Sequence, residues 1–209
     1  MKHMRVLLDE NPCDIQANSV GEAIAAAADA AEQAGRLVVE VRVDGTMFSE
    51  ADFQAEARLA ETAEEVQMLT TTIEELLRDT FLQAAEALAE ADTVQRTAAE
   101  TLQQGKTAEG MGSLKHALET WGGIKDAVVQ GLSLAEISVD EVEVDGVKLA
   151  DAIVTLQNQL EKLKDSVVKE DISATCDCLL YELPEATRDW RIILAGLANR
   201  FDAACKPNP

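Results

Sequence analysis

Residues 77–102, LRDTFLQAAEALAEADTVQRTAAETL, carry the pattern that decides the fold. Apolar side chains recur here at alternating spacings of four and three residues, which places them along one side of an α-helix. One polar residue, Gln95, interrupts this seam. The apolar members of the seam are Leu77, Phe81, Ala84, Leu88, Ala91, Ala98 and Leu102. Because so long an apolar stripe must be covered by other helices, the segment predicts packed long helices.

Similar spacings follow in three later stretches of the chain, separated by turns. We predict helices over about residues 72–104, 107–134, 147–168 and 170–205. The links within the first pair and within the second pair are short, so the helices of each pair are expected to be antiparallel neighbours. Residues 72–206 are therefore predicted to form an antiparallel four-helix bundle made of two helical hairpins.

Two features interrupt these predicted helices, and a third segment separates two of them. Gly122 and Gly123 lie inside the second helix, where each glycine costs about 1 kcal/mol of helix propensity, so they predict a bend or a close helix contact. Pro184 lies inside the fourth helix, where it either kinks one long helix or begins a second one. Residues 138–146 alternate valines with acids and end in Asp-Gly, which predicts an extended loop or a very small hairpin.

Residues 1–71 have a different pattern, which predicts a small α/β head. Ser19 and Glu22 have the spacing of a helix capping box. In chain order, the predicted elements are a strand at 4–8, a weaker strand at 13–17, a helix at 21–34, a strand at 37–43, a short helix from Ser49 and a strand at 65–71. This order resembles that of the ubiquitin-like β-grasp fold, which implies a docking or packing module. The expected fold class is α+β, a β-grasp-like head followed by the helical bundle.

The chain is strongly acidic. Its 209 residues include 39 acidic and 18 basic ones, for a formal net charge of −21. Such a surface repels phosphates, so we expect neither nucleic-acid binding nor binding to anionic membranes. Two interpretations of the acidity stay open: a surface that maintains solubility, or a face for a basic protein partner. The sequence also has no apolar run of the ~18 residues that a membrane-spanning helix needs.

The cysteines and histidines do not predict a catalytic or metal site. Four cysteines, Cys13, Cys176, Cys178 and Cys205, lack the spacing of a disulfide framework, which favours a cytoplasmic location. Side chains two residues apart on a helix point about 200° away from each other, so Cys176 and Cys178 are not expected to share a metal ion. We predict no catalytic residue, no metal and no cofactor.

His116 invites comparison with histidine phosphotransfer domains, which are helical bundles that accept a phosphoryl group on a lone exposed histidine. Such domains usually have a basic residue three positions after that histidine, and this chain has Glu119 there. A carboxylate at that position would repel an incoming phosphate. Phosphotransfer is therefore the least favoured of the functions considered.

Residues 179–184, LLYELP, form the most distinctive local string, and Trp190 follows within two helical turns. They predict either core packing around a kinked helix or an exposed groove where a partner helix docks. In the second interpretation the docking residues are Tyr181, Leu183 and Trp190. The string is similar to one in uncharacterised bacterial proteins that pair a small head with an acidic helical tail. That resemblance implies no activity and no site residues.

Taken together, these patterns predict a non-enzymatic interaction or adaptor protein with a protein partner. An alternative is a chaperone or adaptor for a bacterial secretion or flagellar system, a role that small acidic helical proteins serve. Homo-oligomerisation stays open, because long apolar seams can close within one chain or between chains.

Overall fold

The computed structural model describes the backbone of residues 4–205 and the side chains of residues 4–202. The chain divides into two units, a head that ends at Ile73 and a helical unit that begins at Glu74. The predicted limits at residues 1 and 206 fall outside the described residues. The α+β class is confirmed, since a mixed five-stranded sheet in the head precedes a unit made mainly of helices.

Between residues 4 and 73, the head contains five strands and three short helices. Its elements are β1 (Arg5–Leu8), β2 (Asn11–Cys13), α1 (Val20–Gln33), β3 (Leu37–Val43), β4 (Thr46–Met47), α2 (Glu50–Gln54), α3 (Glu56–Leu59) and β5 (Glu65–Thr71). The strand order is β2-β1-β5-β3-β4, in which β1 and β5 are parallel and the other neighbours are antiparallel. The parallel pair β1 and β5 therefore joins strands from opposite ends of the head sequence.

The second strand lies earlier than the sequence predicted, at Asn11–Cys13 instead of 13–17. Asp9 and Glu10 both have positive φ, 48° and 66°, so the chain reverses within two residues and pairs with β1 at once. Pro12 lies in this strand, which is at the edge of the sheet, where a residue without a backbone N–H is tolerated.

Helix α1 begins as its capping residues predict. The Ser19 hydroxyl accepts a hydrogen bond from the Glu22 N–H at 3.2 Å, and the Glu22 carboxylate accepts one from the Asn18 N–H at 2.8 Å. The small side chains of Ala23 and Ala27 are fully buried, so the helix lies close to the sheet. The head core comprises Val6, Val20, Ala23, Ala27, Val41, Phe48, Val66 and Met68.

The helical unit follows the predicted helix boundaries to within about two residues for its first three long helices. Its elements are α4 (Ile73–Gln103), α5 (Thr107–Leu134), a 3₁₀ turn (Val139–Glu141), β6 (Glu143–Val144), β7 (Val147–Lys148), α6 (Leu149–Val168), α7 (Ile172–Asp177), a π turn (Cys178–Glu182) and α8 (Leu183–Cys205). For residues 138–146 the sequence predicts either an extended loop or a very small hairpin. The structure has the hairpin, β6–β7.

Every member of the predicted seam on α4 is buried, Gln95 included. Ala99 and Leu102 of α4 belong to one core cluster with Leu114 of α5, Leu163 of α6 and Leu183 of α8. Further along α4, the ring of Phe81 lies 5.9 Å from that of Phe201 on α8, centroid to centroid. The helices of this unit therefore share a hydrophobic core, as the apolar spacing predicts.

The close helix contact predicted at Gly122 and Gly123 is wrong. A Cβ at either position would meet no heavy atom within 4 Å beyond the local helix backbone, and α5 is continuous through both. Close contacts occur instead at Gly110 and Gly131, where a Cβ would lie 2.7 Å from Leu102 Cγ and 2.9 Å from Leu77 Cδ2 respectively.

Pro184 is accommodated by the π turn that precedes it. The Leu183 N–H donates to the Cys178 carbonyl, five residues back instead of four. A proline inside an α-helix has no N–H to donate, and its ring collides with the carbonyl four residues earlier. One wide turn gives the ring room. The helical run from α7 to α8 therefore passes through Pro184 without a break.

Candidate docking groove on the helical unit

The hairpin β6–β7 is closed by a two-residue turn. Asp145 and Gly146 have φ values of 50° and 81°, and both positions of such a turn require positive φ. Asp-Gly meets this requirement, because glycine has no Cβ and aspartate tolerates the left-handed region. Val144 and Val147 are directly paired across the hairpin.

The hairpin is seated on α8 at Gly196. Val144 lies so close to this glycine that a Cβ on residue 196 would overlap Val144 Cγ1. A side chain at position 196 would therefore require Val144 or its surroundings to shift. Gly196 places the hairpin turn beside a groove between α6 and α8.

A groove of about 440 Å³ is bounded by the hairpin, α6 and α8. Its floor is apolar and consists of buried side chains: Leu156 from α6, and Ala186, Trp190 and Ile193 from α8. Trp190 is held from behind by Trp121 of α5, at a centroid distance of 6.5 Å and an interplanar angle of 85°. Edge-to-face packing of this kind stabilises the position of the Trp190 ring by about 0.5–1.5 kcal/mol.

The rim of the groove combines exposed apolar side chains with carboxylates. Val147 is 46% exposed and Ile192 is 49% exposed. Asp145, Asp151 and Asp189 line the same groove, and no lysine or arginine among the described residues lines it. Within the described part of the chain, none of the three carboxylates forms an ion pair, in contrast to Asp92, Asp165 and other acids of this unit.

The three predicted docking residues do not share one exposed surface. Tyr181 is 67% exposed and lies on the π turn, outside the groove lining. Leu183 is buried in the core cluster, and Trp190 is buried in the groove floor. Helical spacing explains the separation, because Tyr181 lies two residues from both buried Leu179 and buried Leu183, and side chains two residues apart on a helix point in nearly opposite directions.

His116 is exposed on α5. Its carbonyl accepts a hydrogen bond from the Thr120 hydroxyl at 3.1 Å. One turn along, the Glu119 carboxylate lies 3.6 Å from the Lys115 ammonium. The surroundings of this histidine are thus an ordinary solvated helix surface.

Cys176 and Cys178 are both buried, although they lie only two residues apart. The Cys176 thiol donates to the Ala99 carbonyl at 3.6 Å. Burial raises the pKa of both thiols, and the nearby carboxylates of Asp177 and Glu182 act in the same direction. Among residues 4–202, no three histidine, cysteine, aspartate or glutamate side chains are grouped so that they could hold a metal ion.

The head has a second apolar recess, of about 340 Å³, between α1 and the β3–β4 edge. It includes the exposed side chains of Val39, Met47 and Phe53. Among the described residues, Glu40 is the one charged member of its lining, and it is paired with Arg42. This recess therefore offers apolar surface without a charge pattern, whereas the groove on the helical unit offers both.

Sequence reasoning missed the apolar and acidic residues that form the rim of the groove. A signal was present for Ile192, since it is a large apolar residue beside the α8 seam and not on it. Nothing in the linear pattern joins Asp145, Asp151 and Asp189, which come from three different elements. No helix among the described residues is long and apolar enough to cross a membrane.

Comparison with known proteins identifies no relative: no protein-family model matches this chain, and neither a curated protein nor a solved structure matches it.

Proposed function

We propose that this chain is a non-enzymatic interaction protein, an adaptor whose helical unit holds a segment of a protein partner in the groove. The observation that carries the proposal is the groove itself, in which buried Trp190 and Leu156 form an apolar floor while Val147 and Ile192 are left about half exposed at the rim. Exposed apolar side chains around an apolar depression are typical of protein-binding surfaces.

Two finer structural assignments belong to the same proposal. The head is a β-grasp-like module. This assignment is supported by the strand order β2-β1-β5-β3-β4, the parallel pairing of β1 with β5 and the helix between β2 and β3. The helical unit is an antiparallel four-helix bundle. This assignment is supported by two three-residue links, one centred on Gly105 and one on Glu170, and by the core that α4–α8 share.

The proposal also includes a reducing, cytoplasmic location and membership of the uncharacterised bacterial family that the LLYELP string resembles. The location is supported by the free thiols of Cys13, Cys176 and Cys178. The family resemblance rests on the sequence string and Trp190 alone.

Site-specific crosslinking tests whether the groove binds a protein. A photoreactive amino acid is placed at position 192 on the groove rim and, as a control, at position 129, where Val129 is 41% exposed on α5. We expect a crosslinked product at 192 and none at 129 in extracts of the source cells. The crosslinked segment is then identified by mass spectrometry, purified and titrated against the full chain.

The matched variants for that titration are Ile192→Asn and Val129→Asn. Binding of the purified segment that weakens about tenfold in the first and is unchanged in the second supports the proposal. Equal binding by both variants, or an absence of any product specific to position 192, contradicts it.

A further inference from the structure

We propose that the groove binds a single α-helix of its partner, and that this helix carries lysines or arginines on both sides of an apolar stripe. The inference rests on the proposed interaction function and adds the chemistry of the partner. It follows from the shape of the groove, from the hydrogen-bonding capacity of its walls and from the charges on its rim.

The shape of the groove suits a helix. Along α6 the lining runs from Asp151 to Gln159, and along α8 from Ala186 to Ile193. At 1.5 Å per residue these spans are about 12 Å and 10 Å long, or roughly two helical turns. A trough of this length between two helices accepts the side chains of a third helix, as ridges pack into grooves.

The walls of the groove disfavour an extended strand. Most backbone N–H and C=O groups of α6 and α8 are used within those helices, and the two edges of the hairpin are each only two residues long. A bound strand would leave its own backbone groups without partners, which is costly next to an apolar floor. A helix satisfies its backbone internally and presents only side chains.

The charge of the rim selects a basic partner. The carboxylates of Asp145, Asp151 and Asp189 come from the hairpin turn, α6 and α8, so they surround the apolar floor on three sides. Arg188 and Arg191 are exposed on α8, and Lys148 lies on β7 of the hairpin, but none of these cations lines the groove. Cations that flank the stripe of the incoming helix would therefore meet carboxylates that have no ion pair of their own.

The same charge argues against a second copy of this chain as the occupant. Each copy carries a net charge of −21, so two copies repel each other at long range at low salt. A small molecule is also less suited, since Val147 and Ile192 extend the apolar surface beyond the floor to a rim that is open to solvent, whereas small ligands are mostly enclosed.

Three synthetic peptides of about 18 residues test the inference, a length at which helix formation is practicable. The first has leucines at helical spacing with lysines on either side of the stripe. The second replaces every lysine with glutamate. The third has the composition of the first in an order that destroys the stripe. Binding to the full chain is followed by fluorescence anisotropy and by the tryptophan emission of the protein, to which Trp190 in the floor contributes together with Trp121.

Two sets of variants show where the first peptide binds. Ile192→Asn removes an apolar rim residue, and Val129→Asn is its control. Asp145→Asn/Asp151→Asn/Asp189→Asn removes three charges at the groove, and Glu86→Gln/Glu90→Gln/Glu109→Gln removes three exposed charges on α4 and α5. We expect each groove variant to weaken binding about tenfold, and each control to change it by less than about twofold.

The outcomes separate this inference from the proposed function. Binding of the first peptide alone, lost in both groove variants, supports the inference. Binding that is equal for the lysine and glutamate peptides and is lost in Ile192→Asn overturns the basic partner, but it leaves the proposed interaction function standing. Equal binding of the scrambled peptide overturns the helix. Equal loss in both triple variants shows nonspecific attraction and overturns the inference, as does binding of no peptide.

Discussion

Val144 of the hairpin lies directly on Gly196 of α8, in space that a Cβ at position 196 would occupy. This contact joins an element of two-residue strands to a long helix, and it places Val147 and Asp145 at the rim of the groove. A hairpin this small is not stable by itself in water. Its position, and therefore one wall of the groove, depends on the absence of a side chain at residue 196.

Gly196→Ala is expected to lower stability and to displace the hairpin. The added methyl group gains up to about 1 kcal/mol of helix propensity, but overpacking against Val144 costs about 1–3 kcal/mol. Gly123→Ala is the control, because a Cβ there meets open space, so this change is expected to raise the free energy of unfolding by about 1 kcal/mol. Urea denaturation measures both. A Gly196→Ala protein at least as stable as Gly123→Ala would show that Val144 does not pack on α8.

Gln95→Leu is expected to stabilise the protein. Gln95 is fully buried on α4, and neither its amide nitrogen nor its amide oxygen has a hydrogen-bond partner among the described residues. A buried polar group without a partner costs about 1–3 kcal/mol, and leucine has a similar size without that cost. We expect the free energy of unfolding to rise by about 1 kcal/mol or more.

The control for this prediction is Gln83→Leu, since Gln83 is exposed on the same helix. Its effect is expected to stay within about 0.5 kcal/mol. If Gln95→Leu instead lowers the free energy of unfolding, the amide of Gln95 contributes a favourable interaction that a leucine cannot replace.

The thiols are expected to react at very different rates. Cys13 lies on an edge strand and is partly exposed, whereas Cys176 and Cys178 are buried and their pKa values are raised by burial. Because the thiolate is the reactive form, both buried thiols are expected to resist alkylation at pH 8 while Cys13 is modified. Peptide-level mass spectrometry after a short exposure to iodoacetamide measures each site. Labelling of Cys176 as fast as Cys13 would mean that the helical core opens readily.

The Asp52 carboxylate is expected to titrate at an unusually low pH. Hydrogen bonds from the Ser49 hydroxyl and N–H and from the Arg58 guanidinium, at 2.7, 2.8 and 3.0 Å, lower its pKa from 3.8 to about 2. A carboxyl group whose pKa is lower in the folded state stabilises that state above the unfolded pKa. Its contribution is therefore complete above about pH 4 and is lost as the pH falls towards 2.

Carbon-detected NMR titration of the Asp52 carboxyl measures this pKa directly. In parallel, the difference in free energy of unfolding between the wild type and Asp52→Asn is expected to shrink between pH 4 and pH 2. A midpoint near 4 for Asp52 would mean that the capping box at Ser49 does not form in solution.

Local patterns were sufficient for most of the secondary structure. The alternation in residues 37–43 predicts β3, and the α4 seam predicts a helix whose inner side is buried throughout. These predictions succeed because backbone geometry fixes the periods of strands and helices, and apolar residues recur at that period on the side that must be covered. The second strand was misplaced because it is set by the positive φ values of Asp9 and Glu10, residues that do not usually adopt them.

The sequence by itself determined the α+β class, the acidity and the helical character of residues 73–205, because composition and periodicity depend on neighbours a few positions apart. Only the tertiary structure decided the groove. It buried Leu183 and Trp190, and it brought Asp145, Asp151 and Asp189 around one apolar floor. Such a site depends on the contact between α8 and a hairpin about 50 positions earlier in the chain, and no local pattern records a contact at that separation.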